Sequence, residues 1–152
     1  MERIAVFPGS FDPFTIGHES IVRRSIGLFD KIVIAIGVNS EKKGFFPLEQ
    51  RLEWISKIFA KDSSVQVTSF QNLTVDFCKS ISAKFILRGL RNSNDFEYER
   101  TIGLVNSAMD SEIETIFLLT APEHTGITSS IVREIIKFGG NPGKFLPKEI
   151  II

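Results

Sequence analysis

The stretch KIVIAIGV, residues 31–38, is apolar at almost every position and rich in β-branched side chains. A strand with one wet face alternates apolar and polar residues, whereas an unbroken apolar run belongs to a strand buried on both faces, as in parallel sheets covered by helices. ETIFLL, residues 114–119, reads the same way. Further β-branched runs at Arg3–Phe7, Ser64–Phe70 and Lys84–Leu87 bring the expected strands, with Lys31–Val38 and Glu114–Leu119, to five.

Between the runs the apolar spacing changes to that of helices. Ile21, Val22, Ser25, Leu28 and Phe29 share one helical face, and Leu48, Leu52, Ile55 and Phe59 share another. A third pattern uses Phe77, Cys78 and Ile81, with Cys78 read as a core thiol. A fourth runs from about Asn94 to Met109, and a last from Ser129 to Phe138, stopped by Gly139-Gly140. Strict β–α alternation predicts an α/β chain: an open, mostly parallel five-stranded sheet with helices on both faces, in one domain over residues 1–152. The tail, Pro147 to Ile152, ends in three isoleucines and is expected to pack on the domain or on a neighbouring subunit.

Composition narrows the function. Lys plus Arg equals Asp plus Glu at 18 each, so no overall field draws the chain to nucleic acid or to a membrane surface. Any anion site must be local. One cysteine excludes an intrachain disulfide, and neither a signal-peptide pattern nor a membrane-spanning run of about 18 apolar residues is visible. The expected location is cytoplasmic.

Ligands of open α/β sheets sit beyond the carboxyl ends of the strands. There this sequence places Gly9-Ser10-Phe11 through Gly17-His18, then Asn39 to Lys43, Arg88-Gly89-Leu90-Arg91, and His124 to Ser130 at the start of the last helix. Each feature alone has an ordinary structural explanation. Gly9 and Gly17 are turn formers, His18 a partial cap, Lys42-Lys43 a solvated loop, and Ser129 and Ser130 caps; Arg88 and Arg91 have Asp95, Glu97 and Glu99 as nearby partners. Gathered at one sheet end beside helix amides, they describe a polyphosphate site. The chain has no P-loop, no G-x-G-x-x-G fingerprint and no zinc spacing.

The segment GSFDPFTIGH, residues 9–18, resembles the T/HxGH loop of the nucleotidylyltransferase superfamily. RGLR at 88–91 with DFEYE at 95–99, and ITSS at 127–130 with Val132 and Glu134, closely resemble the bacterial phosphopantetheine adenylyltransferase family. The match runs from Arg3 to about Pro147. It implies a Rossmann-like nucleotidylyltransferase fold and an adenylyl transfer from ATP to 4′-phosphopantetheine, assisted by magnesium, giving dephospho-coenzyme A and pyrophosphate. It also implies a homohexamer and makes coenzyme A a candidate inhibitor. By the same resemblance His18 stabilises the transition state, with Lys42 and Arg88 beside it in catalysis, while Ser10, Lys42, Thr74 and Arg88 hold 4′-phosphopantetheine. The ATP residues would be Ser10, Phe11, His18, Gly89, Leu90, Arg91, Glu99, His124, Thr125, Gly126, Ile127, Thr128, Ser129 and Ser130, with no protein metal ligand. Ser10, Ile16, Thr74, His124-Thr125-Gly126 and Thr128 depart from the family's commoner residues.

The chemistry suits such a loop. A phosphate monoester is already an anionic nucleophile, so no general base is required. The barrier lies in bringing two polyanions together, which cations and helix amides lower by positioning and electrostatic stabilisation. A transferase for another phosphorylated acceptor (glycerol phosphate with CTP, or nicotinamide mononucleotide with ATP) is opposed by the RGLR/DFEYE pair. A nucleotide-sensing module is opposed by the presence of His18, Lys42 and Arg88. TIGH also resembles the HIGH motif of class I aminoacyl-tRNA synthetases, but there is no KMSKS-like segment, and a neutral chain gives tRNA little purchase.

Overall fold

The computed structural model describes residues 1–152. Strands β1 (Ile4–Gly9), β2 (Lys31–Gly37), β3 (Val65–Phe70), β4 (Phe85–Leu90) and β5 (Glu114–Leu119) alternate with helices α1 (Ile16–Ser25), α2 (Leu48–Ile58), α3 (Thr74–Ser80), α4 (Ser93–Met109) and α5 (Ser129–Lys137). Short 3₁₀ turns cover Pro122–His124 and Gly143–Phe145. All five strands are parallel, in the order β3-β2-β1-β4-β5, so the sheet is wholly rather than mostly parallel. No helix is long and apolar enough to cross a membrane.

The pleat divides the core. Ala5, Phe7, Ile32, Ile34, Ile36 and Leu87 point to one face, where Ile21, Val22, Trp54, Ile55, Ile58 and Val132 from α1, α2 and α5 cover them. Ile4, Val6, Val33, Ala35 and Ile86 point to the other face, against Val75 and Cys78 of α3. The expected pair of doubly buried strands is corrected by the strand order. β2 is indeed enclosed, but β5 is an edge strand, only half-buried, with Leu119 72% exposed. The central partner of β2 is β1, which the six-residue IAVFPG run made less conspicuous.

Other departures are local. β4 continues through Arg88-Gly89-Leu90, so these residues end a strand rather than form the loop after it. α1 stops at Ser25, leaving Leu28 exposed and Phe29 buried beyond the helix. Gly139 takes φ +78° just after α5, a conformation that suits glycine at a helix end. In the tail, Leu146 and Ile150 enter the larger core, while Ile151 and Ile152 remain exposed.

The strand order positions the site. The chain builds β1, β2 and β3 outward on one side of β1, then crosses to place β4 on the other side. The crevice between the carboxyl ends of β1 and β4 is therefore the switch point of this sheet, where loops diverge and leave room for a ligand.

Candidate active site

The loop after β1 is shaped by aromatic packing. Phe11 folds back with φ 45°, unusual for a bulky residue, and its buried ring lies 5.2 Å from the rings of both Phe7 and Phe14. A Cβ on residue 9 would stand 2.8 Å from the Phe11 ring, so this approach requires glycine at Gly9. Ser10 is left exposed at the crevice.

Thr15 then caps α1 through a capping box with His18. The Thr15 N–H donates to His18 Nδ1 at 2.9 Å, and the His18 N–H donates to Thr15 Oγ1 at 3.4 Å. Because Nδ1 accepts a backbone N–H, the neutral ring carries its proton on Nε2. The imidazole packs beside Phe7, Phe11 and Phe14 with centroids 6.3, 5.1 and 5.2 Å away. That burial, with the charges of Arg88 and Arg91, lowers its pKa to about 4. His18 thus faces the crevice as a neutral donor at physiological pH.

The crevice itself is a cleft of about 340 Å³. Ser10, Phe11 and His18 line it from the β1–α1 side, and Arg88, Gly89, Arg91 and Glu99 from β4 and α4. His124, Ile127, Thr128, Ser129 and Ser130 line it from the approach to α5. Arg88 donates Nε and Nη2 to the Glu99 carboxylate at 2.7 and 2.6 Å, and Nη1 to the Pro8 carbonyl at 2.7 Å. Two of its five N–H groups stay uncommitted. Arg91 is held by Asp95 in the same forked manner, at 3.0 and 3.3 Å. Thr128 caps α5 by accepting from the Ile131 N–H at 3.1 Å, and Ser129 Oγ donates to the Pro13 carbonyl at 2.8 Å. The α5 N-terminus is thereby fastened to the β1–α1 loop with its positive end at the cleft. His124 Nδ1 is buried at this wall without a partner in the chain.

A second cleft of about 260 Å³ adjoins the first and shares Pro8, Gly9, Arg88 and Glu99 with it. Phe70, Ile86, Ile102 and Gly103 give it an apolar character, while Thr74, Asn106 and Thr115 supply polar groups. Thr115 Oγ1 is buried there and unpartnered. The arrangement suits one polar, phosphate-rich ligand and one narrower ligand of mixed character, meeting at Arg88.

Several expected residues fall outside the clefts. Lys42 stands on the exposed β2–α2 loop and lines neither. Leu90 is 7% exposed and lines neither cleft, although it shares a face of β4 with Arg88. Thr125 and Gly126 are exposed and line neither cleft.

Three polar residues not singled out from the sequence help to build the site. Arg133 lines the first cleft, donating to the Asp12 carbonyl at 2.8 Å and to Ser130 Oγ at 3.1 Å. Its position one turn after Ser130 was a readable signal. Asp12 and Arg51 are buried beneath the loop, and only long-range contacts reveal them.

A neutral Nε2–H donor, arginine forks and a helix N-terminus at the switch point of a parallel sheet define a nucleotidyl-transferring class of protein. Residues 6–135 match the family described as Cytidylyltransferase-like. A phosphopantetheine adenylyltransferase from Flavobacterium psychrophilum is 53% identical over 148 residues, covering 97% of each chain. One from Clostridium botulinum is 46% identical over 149 residues, covering 98% of this chain and 94% of its own. Among solved structures, a protein described as a nicotinate-nucleotide adenylyltransferase from Vibrio parahaemolyticus superposes with a TM-score of 0.72 at 17% identity, covering 98% of this chain and 96% of that one, which shows the shared fold. The chain belongs to the phosphopantetheine adenylyltransferase family.

Proposed function

We propose that this chain reversibly transfers the adenylyl group of ATP to 4′-phosphopantetheine, giving dephospho-coenzyme A and pyrophosphate. The observation that carries the reading is that Arg88 lines both clefts, the first polar and helix-capped, the second narrower and more apolar. ATP occupies the first cleft, with its phosphates against Arg91, Arg133 and the α5 N-terminus. The pantetheine arm occupies the second beside Thr74, and its phosphate meets the α-phosphorus near Ser10 and Arg88.

The acceptor phosphate attacks directly. Nothing near it is built as an enzyme nucleophile: Cys78 is buried in the opposite core layer, with burial raising its pKa to about 11. His18 Nε2–H donates to a non-bridging α-phosphate oxygen as charge builds there, and the leftover N–H groups of Arg88 hold the attacking phosphate. Lys42 is assigned to that phosphate by its match to the family's substrate lysine rather than by the clefts.

Magnesium enters as part of the nucleotide substrate. The two acidic side chains lining the first cleft, Asp95 and Glu99, are paired with arginines, and no group of three His, Cys, Asp or Glu side chains is arranged to hold an ion. The enzyme works in the cytoplasm, where ATP is available. We also assign it a homohexameric state; support in this chain is the apolar stretch of α4, where Tyr98, Leu104 and Val105 are more than half exposed. Sedimentation showing a monomer at micromolar concentration would remove that assignment.

The function is tested by pyrophosphate release from ATP with a panel of phosphorylated acceptors. 4′-Phosphopantetheine should be used efficiently and unphosphorylated pantetheine hardly at all. Faster turnover with nicotinamide mononucleotide, or with glycerol phosphate and CTP, would overturn the reading.

A further inference from the structure

The β1–α1 loop and the segment that carries Lys42 are joined by one buried carboxylate. Asp12 accepts the Phe45 N–H at 2.6 Å and the Phe46 N–H at 2.9 Å, one on each oxygen. Arg51, from α2, lies beneath this pair. Its Nη1 donates to the Ser10 carbonyl at 2.7 Å, its Nε donates to the Phe46 carbonyl at 3.1 Å, and Nε stands 3.9 Å from Asp12 Oδ1. Both side chains are about nine-tenths buried, at 9% and 11% exposure. Gly44 packs directly on the guanidinium, for a Cβ there would be 2.8 Å from Arg51 Nη2 and 2.9 Å from the Phe46 carbonyl.

We propose that Asp12 and Arg51 form a latch that sets the register of the Lys42 segment against the loop holding Ser10 and His18. The latch touches neither cleft, so both are positioning residues. Buried charge-assisted bonds to two successive amides fix a segment more tightly than surface contacts do. Only two residues separate Lys42 from Phe45, so a displaced latch moves the lysine. The Arg88 and Arg91 forks keep their own supports in Glu99 and Asp95, and α5 meets the loop at the Asp12 and Pro13 carbonyls, which neither variant removes. The kinetic part of this proposal rests on the assignment of Lys42 to the acceptor phosphate.

Asp12→Asn tests it, because the amide is isosteric but offers an NH₂ where one backbone N–H needs an acceptor. Gly44→Ala tests it independently by pushing the segment away without removing a polar group. Each variant should raise the KM for 4′-phosphopantetheine roughly tenfold while the ATP dissociation constant changes less than about twofold. Combined with Lys42→Ala, each should add almost nothing to the loss from Lys42→Ala alone. Trypsin should also cleave after Lys42 and Lys43 several-fold faster in both variants, with cleavage elsewhere unchanged. Equal weakening of ATP and acceptor, or full multiplication with Lys42→Ala, would overturn the proposal. If Lys42→Ala itself leaves the acceptor KM unchanged, the assignment of Lys42 fails, and tryptic cleavage alone then decides the latch: unchanged rates in both variants refute it.

Discussion

Glu99 holds Arg88 through two parallel hydrogen bonds of 2.7 and 2.6 Å, and the pair stands on the partition between the two clefts. Glu99 is buried, whereas the Arg88 side chain is 30% exposed and lines both clefts. The carboxylate therefore uses both oxygens to aim one guanidinium, and what is left free at the clefts is the remainder of that guanidinium.

Glu99→Gln should accordingly act on both substrates at once. The amide retains one acceptor and loses the second charge-assisted bond, a cost of about 1–2 kcal/mol once the partial exposure of Arg88 is allowed for. Thermal unfolding should fall by a few degrees, and the KM for ATP and for 4′-phosphopantetheine should rise together. A change confined to one substrate would place Arg88 in a single cleft.

His18→Ala should lower kcat by about a hundredfold to a thousandfold while ATP affinity stays within a few-fold. Removal of one preorganised donor to a developing anion typically costs about 3–4 kcal/mol in the barrier. The lost capping partner should add about 1 kcal/mol of destabilisation, which a melting curve measures separately. Near-normal turnover in the folded variant would take His18 out of the chemistry.

The pH behaviour follows from the depressed pKa of His18. In the unfolded chain the ring takes up its proton near 6.5, in the folded enzyme near 4. Its stabilising contribution is thus complete above pH 6.5 and is lost as pH falls from 6.5 through 4. Nitrogen-15 NMR of the free enzyme at pH 6 should find a neutral ring with Nδ1 bare and Nε2 protonated. A charged ring at that pH would contradict the capping geometry.

Direct transfer makes a stereochemical prediction. One in-line attack inverts configuration at the α-phosphorus, whereas two successive displacements through an adenylyl-enzyme retain it. ATP made chiral at that phosphorus with sulfur and oxygen isotopes should give inverted dephospho-coenzyme A. Net retention, or labelled enzyme trapped with ATP alone, would exclude the direct route.

Local chemistry in the chain was enough for the elements and for the pieces of the site. Alternation of β-branched runs with helical spacing follows from a sheet covered by helices, and every expected strand formed with small shifts at its ends. His18 at a helix start, Arg91 near its carboxylate partner Asp95, and Ser129-Ser130 opening the last helix were legible because capping and i,i+4 pairing act within a few residues. The strand order was not legible, because pairing in a parallel sheet joins residues far apart in sequence through connections that carry no register of their own. That order made β5 an edge, placed β1 beside β4, and so decided where the crevice opens. It also decided which polar residues matter beneath it: Asp12 with the Phe45 and Phe46 amides 33 and 34 positions away, and Arg51 with the Ser10 carbonyl 41 positions away, meet only once the sheet and helices are packed.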